Sequence, residues 1–88
     1  MLVKKGAFAK SKTGHDCNQI YVIIDCNDEY AYLVNGKTKP LDKPKKKKLR
    51  HIQFIDNMDS VIIEKINNNR LNNDDIKKAI KDYKASEN

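Results

Sequence analysis

Residues that build catalytic and metal sites are scarce in this sequence. The three glycines stand alone, so the chain lacks a glycine-rich loop ending in a lysine, the pattern that cradles nucleotide phosphates. The chain contains two cysteines, Cys17 and Cys26, and two histidines, His15 and His51. They lack the paired spacing that places two zinc ligands on one turn. We therefore expect no metal and no cofactor.

A catalytic role has one candidate nucleophile, Cys17. It lies two residues from a candidate base, His15, and would share a strand face with it. No third group orients this pair, and the adjacent carboxylates of Asp74 and Asp75 are explained by the start of a helix. We predict that the protein is not an enzyme, and Cys17 chemistry is the alternative.

Long apolar runs are also lacking. Lys4 and Lys5 stand where a signal peptide needs its apolar core, so the sequence predicts a cytoplasmic protein that does not bind a membrane. In that compartment Cys17 and Cys26 are expected to be reduced, and a disulfide between them is the alternative. At 88 residues the chain has room for one domain.

Positive charge is missing from residues 13–36 and concentrated immediately after them. Residues 37–50 contain eight Lys or Arg side chains and one Asp, a net charge of +7, so the rest of the chain is close to neutral within the total of +6. Such a local excess attracts a polyanion and binds its phosphates. The predominance of lysine over arginine favours phosphate contacts over base readout. A solvated surface is the alternative, but the acidic residues of 13–36 predict a molecule with two electrically different sides.

Clusters of apolar residues predict a small, mainly β barrel. Residues 19–25 form the clearest strand, and their apolar side chains on both faces imply burial on both sides. Asn35-Gly36 favours a type I′ hairpin turn, because both residues tolerate a positive φ. The other predicted strands are 2–9 with a bend at Gly6, 30–34, 37–41 and 49–55, and residues 42–48 are expected to be a solvated loop.

After residue 56 the apolar spacing becomes helical. Two helices are predicted, the first with Met58, Val61, Ile62 and Ile66 after a cap at Asp56 or Asn57, the second with Ile76, Ala79, Ile80 and Tyr83 after a cap at Asn72. Residues 57–88 are thus expected to form a helical extension packed on a barrel of residues 1–56.

Pairing of the first and last strands, which barrel closure requires, would create one continuous basic face. It would bring Lys4, Lys5, Lys10 and Lys12 beside residues 45–50. Strand alternation places Lys37 and Lys39 on one face, and it places Arg50 and His51 on opposite faces. The aromatic side chains are expected to pack in the sheet rather than stack on bases: Phe8, Tyr21, Tyr30 and Tyr32.

A set of short motifs supports a family resemblance. The motifs are Gly6-x-Phe8-Ala9-x-Ser11-Lys12-x-Gly14-His15-Asp16, Tyr21-Val22-Ile23-Ile24, Asn35-Gly36-Lys37, Lys43-Pro44-Lys45 and Leu49-Arg50-His51-Ile52. Together they resemble the bacterial KOW-domain proteins, which are similar to a group of eukaryotic and archaeal large-subunit ribosomal proteins. The resemblance implies an SH3-like five-stranded barrel of KOW type that binds ribosomal RNA or the ribosome. Assembly, translation and transcription stay open as the process that this binding serves.

The expected function is that of a non-catalytic RNA-binding protein, monomeric when free and without a small-molecule substrate. The alternative is a small-barrel protein-interaction module that binds an acidic protein partner, and its basis is the apolar stripe of the helical extension, which would dock a protein. The resemblance assigns RNA contacts to Ser11, Lys12, Gly14, His15, Asp16, Lys43, Lys45, Lys46, Lys47, Lys48, Arg50 and His51, and the charge pattern adds Lys10, Lys37 and Lys39.

Overall fold

One antiparallel sheet of five strands, curled into a half-barrel, organises the molecule. The computed structural model describes residues 4–12 and 19–86. The strands are β1 (Ala7–Ser11), β2 (Ile20–Cys26), β3 (Tyr30–Val34), β4 (Lys45–Lys48) and β5 (Ile52–Met58), and the helices are α1 (Ser60–Asn67) and α2 (Asn73–Ser86). Their order in the sheet is β4-β3-β2-β1-β5. The predicted pairing of the first and last strands is confirmed, since β1 pairs with β5.

Both faces of the central strand β2 are covered, as its sequence predicts. Tyr21 and Ile23 point into the half-barrel, where they pack with alanines of β1 and with Leu33 of β3. Ile20 and Val22 point to the opposite side, which the helices cover. We call these sides the inner and the outer face of the sheet. A strand buried on both faces needs apolar residues in consecutive positions, and the β-branched run of β2 provides them.

The apolar stripe of α2 packs against the outer face. Ile76, Ala79 and Ile80 are buried there, and the ring of Tyr83 stacks on Phe8 of β1 with 4.8 Å between centroids. This confirms the predicted second helix. It also places the stripe, on which the protein-docking alternative depends, in the core rather than on an exposed surface.

The first helix begins later than predicted. Met58 belongs to β5, which continues past the expected end of the barrel at residue 56, and Asp59 caps α1 instead of Asp56 or Asn57. The Asp59 carboxylate accepts hydrogen bonds from the backbone N–H groups of Val61, at 2.9 Å, and Ile62, at 3.3 Å. The Ile62 side chain is buried in the core on the outer face, whereas Val61 is 53% exposed.

The prediction of a fourth strand at residues 37–41 is wrong. Residues 35–44 form a turn-rich loop, and the strand that pairs with β3 is the lysine run of β4. A type I′ turn needs a positive φ at both central residues. Gly36 has one, at +80°, but Asn35 does not, because its side-chain oxygen accepts the N–H groups of Lys37 and Lys39, each at 2.9 Å.

The start of the fifth strand also differs from the prediction. Leu49–His51 form a 3₁₀ turn, and β5 begins only at Ile52.

Among the described residues, no helix has both the length and the apolar composition needed to cross a membrane.

Candidate nucleic-acid interface

The four consecutive lysines of β4 are divided between the two faces of the sheet. Lys45 lies opposite Leu33 and Lys47 opposite Ala31, both of which are fully buried on the inner face. Lys46 and Lys48 lie opposite Tyr32 and Tyr30 and so belong to the outer face. Residues 45–48 of the predicted solvated loop are therefore an ordered edge strand, and residues 42–44 remain in a loop. Lysine suits this position, since a charged edge resists pairing with another chain.

Lys47 connects β4 to the end of β1. Its ammonium group donates a hydrogen bond of 2.6 Å to the hydroxyl of Ser11, which is only 1% exposed. The contact spans the mouth of the half-barrel, because β4 and β1 are not neighbours in the sheet. Two segments that carry predicted RNA contacts, 10–12 and 45–48, are thereby brought together.

Lys45 lies beside Lys47 on the inner face and is half-buried. Partial burial, together with the positive charge of Lys47, lowers the pKa of the Lys45 ammonium group below its usual value of 10.5. Both causes disfavour the protonated form. Lys45 and Lys47 therefore place two positive charges side by side on the inner face.

The outer face of β3 and β4 carries aromatic rings beside lysines. The Lys46 ammonium group lies 4.2 Å from the centroid of the Tyr30 ring, a cation–π contact. Tyr30 and Tyr32 are half-buried, whereas Tyr21 lies in the inner core, where burial raises the pKa of its hydroxyl. The prediction that the aromatic side chains pack in the sheet therefore holds fully for Tyr21 and only in part for Tyr30.

Arg50 and His51 do not lie on a strand, so the predicted alternation between them does not apply. In the 3₁₀ turn, Arg50 is exposed and His51 is half-buried. The His51 carbonyl accepts the backbone N–H of Lys12 at 2.9 Å, which joins this turn to the end of β1. The predicted proximity of the first basic group to residues 45–50 thus holds for Lys12.

Acidic residues lie closer to the lysine strand than the sequence predicts. The turn between β2 and β3 meets the end of β4, where the Leu49 N–H donates to the Glu29 carbonyl at 2.9 Å. Asp28 and Glu29 line a cleft of about 320 Å³ with Lys48 and Arg50. The two signs of charge are therefore not on opposite sides at this end of β4.

The remaining candidate residues are dispersed. Lys4 and Lys5 precede β1, at the end of that strand away from Lys12, and Lys5 lies 3.7 Å from Asp25. One continuous basic face is thus not formed. Lys37, Lys39 and Lys43 lie in the 35–44 loop rather than on a strand, and Lys10 is half-buried on β1. Outside the described residues lie the candidate contacts Gly14, His15 and Asp16, together with Cys17.

The RNA contacts predicted from the sequence include no lysine of α2. Lys77, Lys81 and Lys84 are exposed and repeat at i, i+4 and i+7. The signal is present in that spacing, which places the three side chains on one side of a helix. Their stretch of sequence also contains Asp74, Asp75 and Asp82, which conceals the local excess when charges are simply counted along the chain.

Within residues 4–12 and 19–86, no group of three or more His, Cys, Asp or Glu side chains is placed to hold a metal ion.

No protein-family model matches the chain, and no curated protein matches it significantly.

Proposed function

We propose that this chain is a non-catalytic RNA-binding protein of the KOW type, built on an SH3-like barrel and associated with ribosomal RNA or the ribosome. Its binding surface, here called the β4 rim, consists of Lys12, β4 and Arg50. The lysines of the rim contact phosphates, and the RNA is held mainly by charge.

The Lys47–Ser11 contact is the observation that carries the proposal. It joins the lysine strand to the Ser11-Lys12 segment, and both segments match motifs of the resemblance. The curled five-stranded sheet with paired first and last strands supports the barrel part of the proposal.

A merely solubilising role fits the rim less well. Solubilising charges are usually dispersed and mixed in sign on exposed positions. Here Lys45 and Lys47 lie next to each other on one face, partly withdrawn from water, and the pKa of Lys45 is lowered as a result. The two side chains thus place positive charge at one point of the surface, which favours contact with a phosphate.

The proposal is tested by titrating a fluorescein-labelled RNA hairpin of about 20 nucleotides between about 50 and 200 mM salt. The variant is Lys46→Gln/Lys48→Gln, which removes two outer-face charges and retains the Lys47–Ser11 contact. Wild-type protein is expected to bind with an affinity that falls steeply with salt. In the variant the slope of log K against log salt, which is negative, should become less steep by about 0.7 to 0.9 for each phosphate that is no longer neutralised.

The matched control is Lys4→Gln/Lys5→Gln, which removes the same charge from two exposed lysines outside the β4 rim. Its slope should equal that of the wild type. Equal slopes in both variants would overturn the assignment to the rim. Crosslinking in cells, followed by sequencing of the attached RNA, then identifies the ligand. Recovery of protein partners alone, resistant to nuclease and high salt, would instead support a protein-binding module.

A further inference from the structure

A second basic site lies on the outer side of the molecule, between α2, the start of β2 and the loop after β3. It is a cleft of about 590 Å³. Ile20 and Ile80 contribute apolar surface to it. Among the described residues, its walls carry five lysines and one aspartate: Lys37, Lys77, Lys78, Lys81, Lys84 and Asp74. This charge imbalance is as local as that of β4 but comes from different segments of the chain.

Lys77, Lys81 and Lys84 lie on one side of α2 and line the cleft. Like charges at i and i+4, such as Lys77 and Lys81, destabilise a helix slightly. The acids of α2 do not all compensate for them, because Asp75 bonds to Lys65 at 2.7 Å and Asp82 lines a separate cleft beside Phe8. Asp74 does approach Lys77, at 3.7 Å, but its side chain is 92% exposed and the pair is correspondingly weak.

The cleft walls are fixed relative to each other. A Cβ atom added to Gly36 would lie 2.5 Å from the Asn73 carbonyl oxygen, so the loop and the start of α2 are in close contact. The Asn73 side chain also accepts the N–H of Leu41 at 2.9 Å. Lys37 is therefore held beside the lysines of α2 before any ligand arrives, which reduces the ordering cost of binding.

A path of adjacent residues links this cleft to the β4 rim. Ile20, at the cleft, pairs with Lys10 of β1. Lys10 precedes Ser11, which bonds to Lys47 of β4. The α2 cleft and the Ser11–Lys47 contact of the β4 rim therefore both lie near the end of β1 and the start of β2.

We infer that the α2 cleft is a second phosphate-binding surface, which receives the sugar-phosphate backbone of the same RNA that contacts the β4 rim. The inference rests on the proposed function. Lysine ammonium groups suit phosphates as point charges. The row from Lys77 to Lys84 extends about 10 Å along the helix at 1.5 Å per residue, enough for more than one phosphate of a strand.

The test compares Lys81→Gln/Lys84→Gln with the Lys4→Gln/Lys5→Gln control in the same RNA titration. Glutamine retains helix propensity, and thermal unfolding verifies that the variants fold. In the α2 variant the slope of log K against log salt should become less steep by about 1.5, at about 0.7 to 0.9 for each phosphate that loses its lysine. In the control the slope should not change. In the wild type, RNA should shift the backbone amide resonances of Lys81 and Lys84.

The outcomes separate the two proposals. If the β4 variant weakens binding while the α2 variant matches the control, the cleft is not a phosphate site and the proposed function stands. If the α2 variant weakens binding and the β4 variant does not, the assignment of binding to the rim is overturned. Wild-type protein that fails to bind RNA at about 50 mM salt overturns both.

Discussion

Gly36 is the residue on which the contact between the 35–44 loop and α2 depends. Its φ of +80° is strained for any residue with a side chain, and a Cβ would approach the Asn73 carbonyl to 2.5 Å and Cγ of Lys77 to 2.9 Å. A flexible lysine side chain can move, but a backbone carbonyl at the start of a helix cannot move without shifting α2.

Replacing Gly36 with Ala should therefore lower the free energy of unfolding by about 2 kcal/mol or more, through backbone strain and steric overlap. Urea denaturation measures the change. The control is Thr38→Ala in the same loop, which removes the exposed hydrogen bond from Asn35 and should cost about 1 kcal/mol or less. Equal costs for the two variants would contradict the close packing of loop on helix.

Individual residues also explain the error at the predicted hairpin. Asn-Gly is a strong turn signal because both residues tolerate a positive φ. The same Asn side chain can instead accept backbone N–H groups two and four residues ahead, and here it does so with Lys37 and Lys39. Sequence alone does not decide between these two uses, since the contact of Gly36 with α2 arises only in the folded chain.

At the scale of elements, α2 is stabilised by reciprocal hydrogen bonds at its start. Asn72 accepts the N–H of Asp75 at 2.9 Å, and the Asp75 carboxylate accepts the N–H of Asn72 at 3.3 Å, which is a capping box. Asp75 also accepts a hydrogen bond of 2.7 Å from the Lys65 ammonium group, joining α2 to α1. The hydrogen bond from Lys65, and secondarily that from Asn72, lowers the pKa of Asp75 below 3.8.

This pKa shift predicts a pH dependence of stability. A carboxyl group with a lowered pKa in the folded state stabilises the fold above the unfolded value of 3.8, and it loses that contribution as the pH falls through its folded pKa. Asp75→Asn should therefore be less stable than the wild type at pH 6, and the difference should shrink below pH 3.8. Thermal unfolding across this range measures it.

Asp74→Asn is the matched control, because it removes the same charge one residue away, from a side chain that is 92% exposed. Its stability should differ less from that of the wild type at pH 6. A difference for Asp75→Asn that persists unchanged below pH 3 would show that the carboxylate is not the stabilising species.

Periodicity decides which elements can be predicted. β2 and α2 bury apolar residues at regular spacing, and the prediction of both lies close to their observed positions. β4 has no such signal, because four lysines in succession show neither alternation nor β propensity. Their strand conformation follows from pairing with β3, with the aliphatic stems of Lys45 and Lys47 over the inner core. Tertiary contact, not local sequence, forms this strand.

The candidate surface, too, can be predicted only where its residues give a local signal in the sequence. Charge counting locates the lysine strand, and the predicted pairing of the first and last strands brings Lys12 beside it. The α2 cleft requires the loop and helix to be assembled, so Lys37 and Lys84 have no recognisable relation in the sequence. Likewise, the approach of Glu29 to β4 depends on the β2–β3 turn, which sequence alone would separate from the basic segment.

At the scale of the whole molecule, its dimensions set an upper limit on the length of RNA that is needed to contact both basic surfaces. The chain measures 30 × 28 × 25 Å, and a stacked strand advances about 3.4 Å per nucleotide. An RNA of about nine nucleotides is therefore long enough to extend across the whole molecule and contact both surfaces. Small barrels that bind single strands have site sizes of about 4 to 16 nucleotides, which includes this length.

Binding of single-stranded oligonucleotides of about 4 to 16 residues to wild-type protein should thus strengthen with length and level off by about nine nucleotides. In Lys81→Gln/Lys84→Gln the gain should end at a shorter length, because an RNA that extends beyond the β4 rim finds fewer charges to contact. Fluorescence anisotropy at constant salt measures this. The Lys4→Gln/Lys5→Gln variant should level off at the wild-type length, since its charges lie outside both surfaces. A common plateau length for all three proteins would mean that one surface alone engages the RNA.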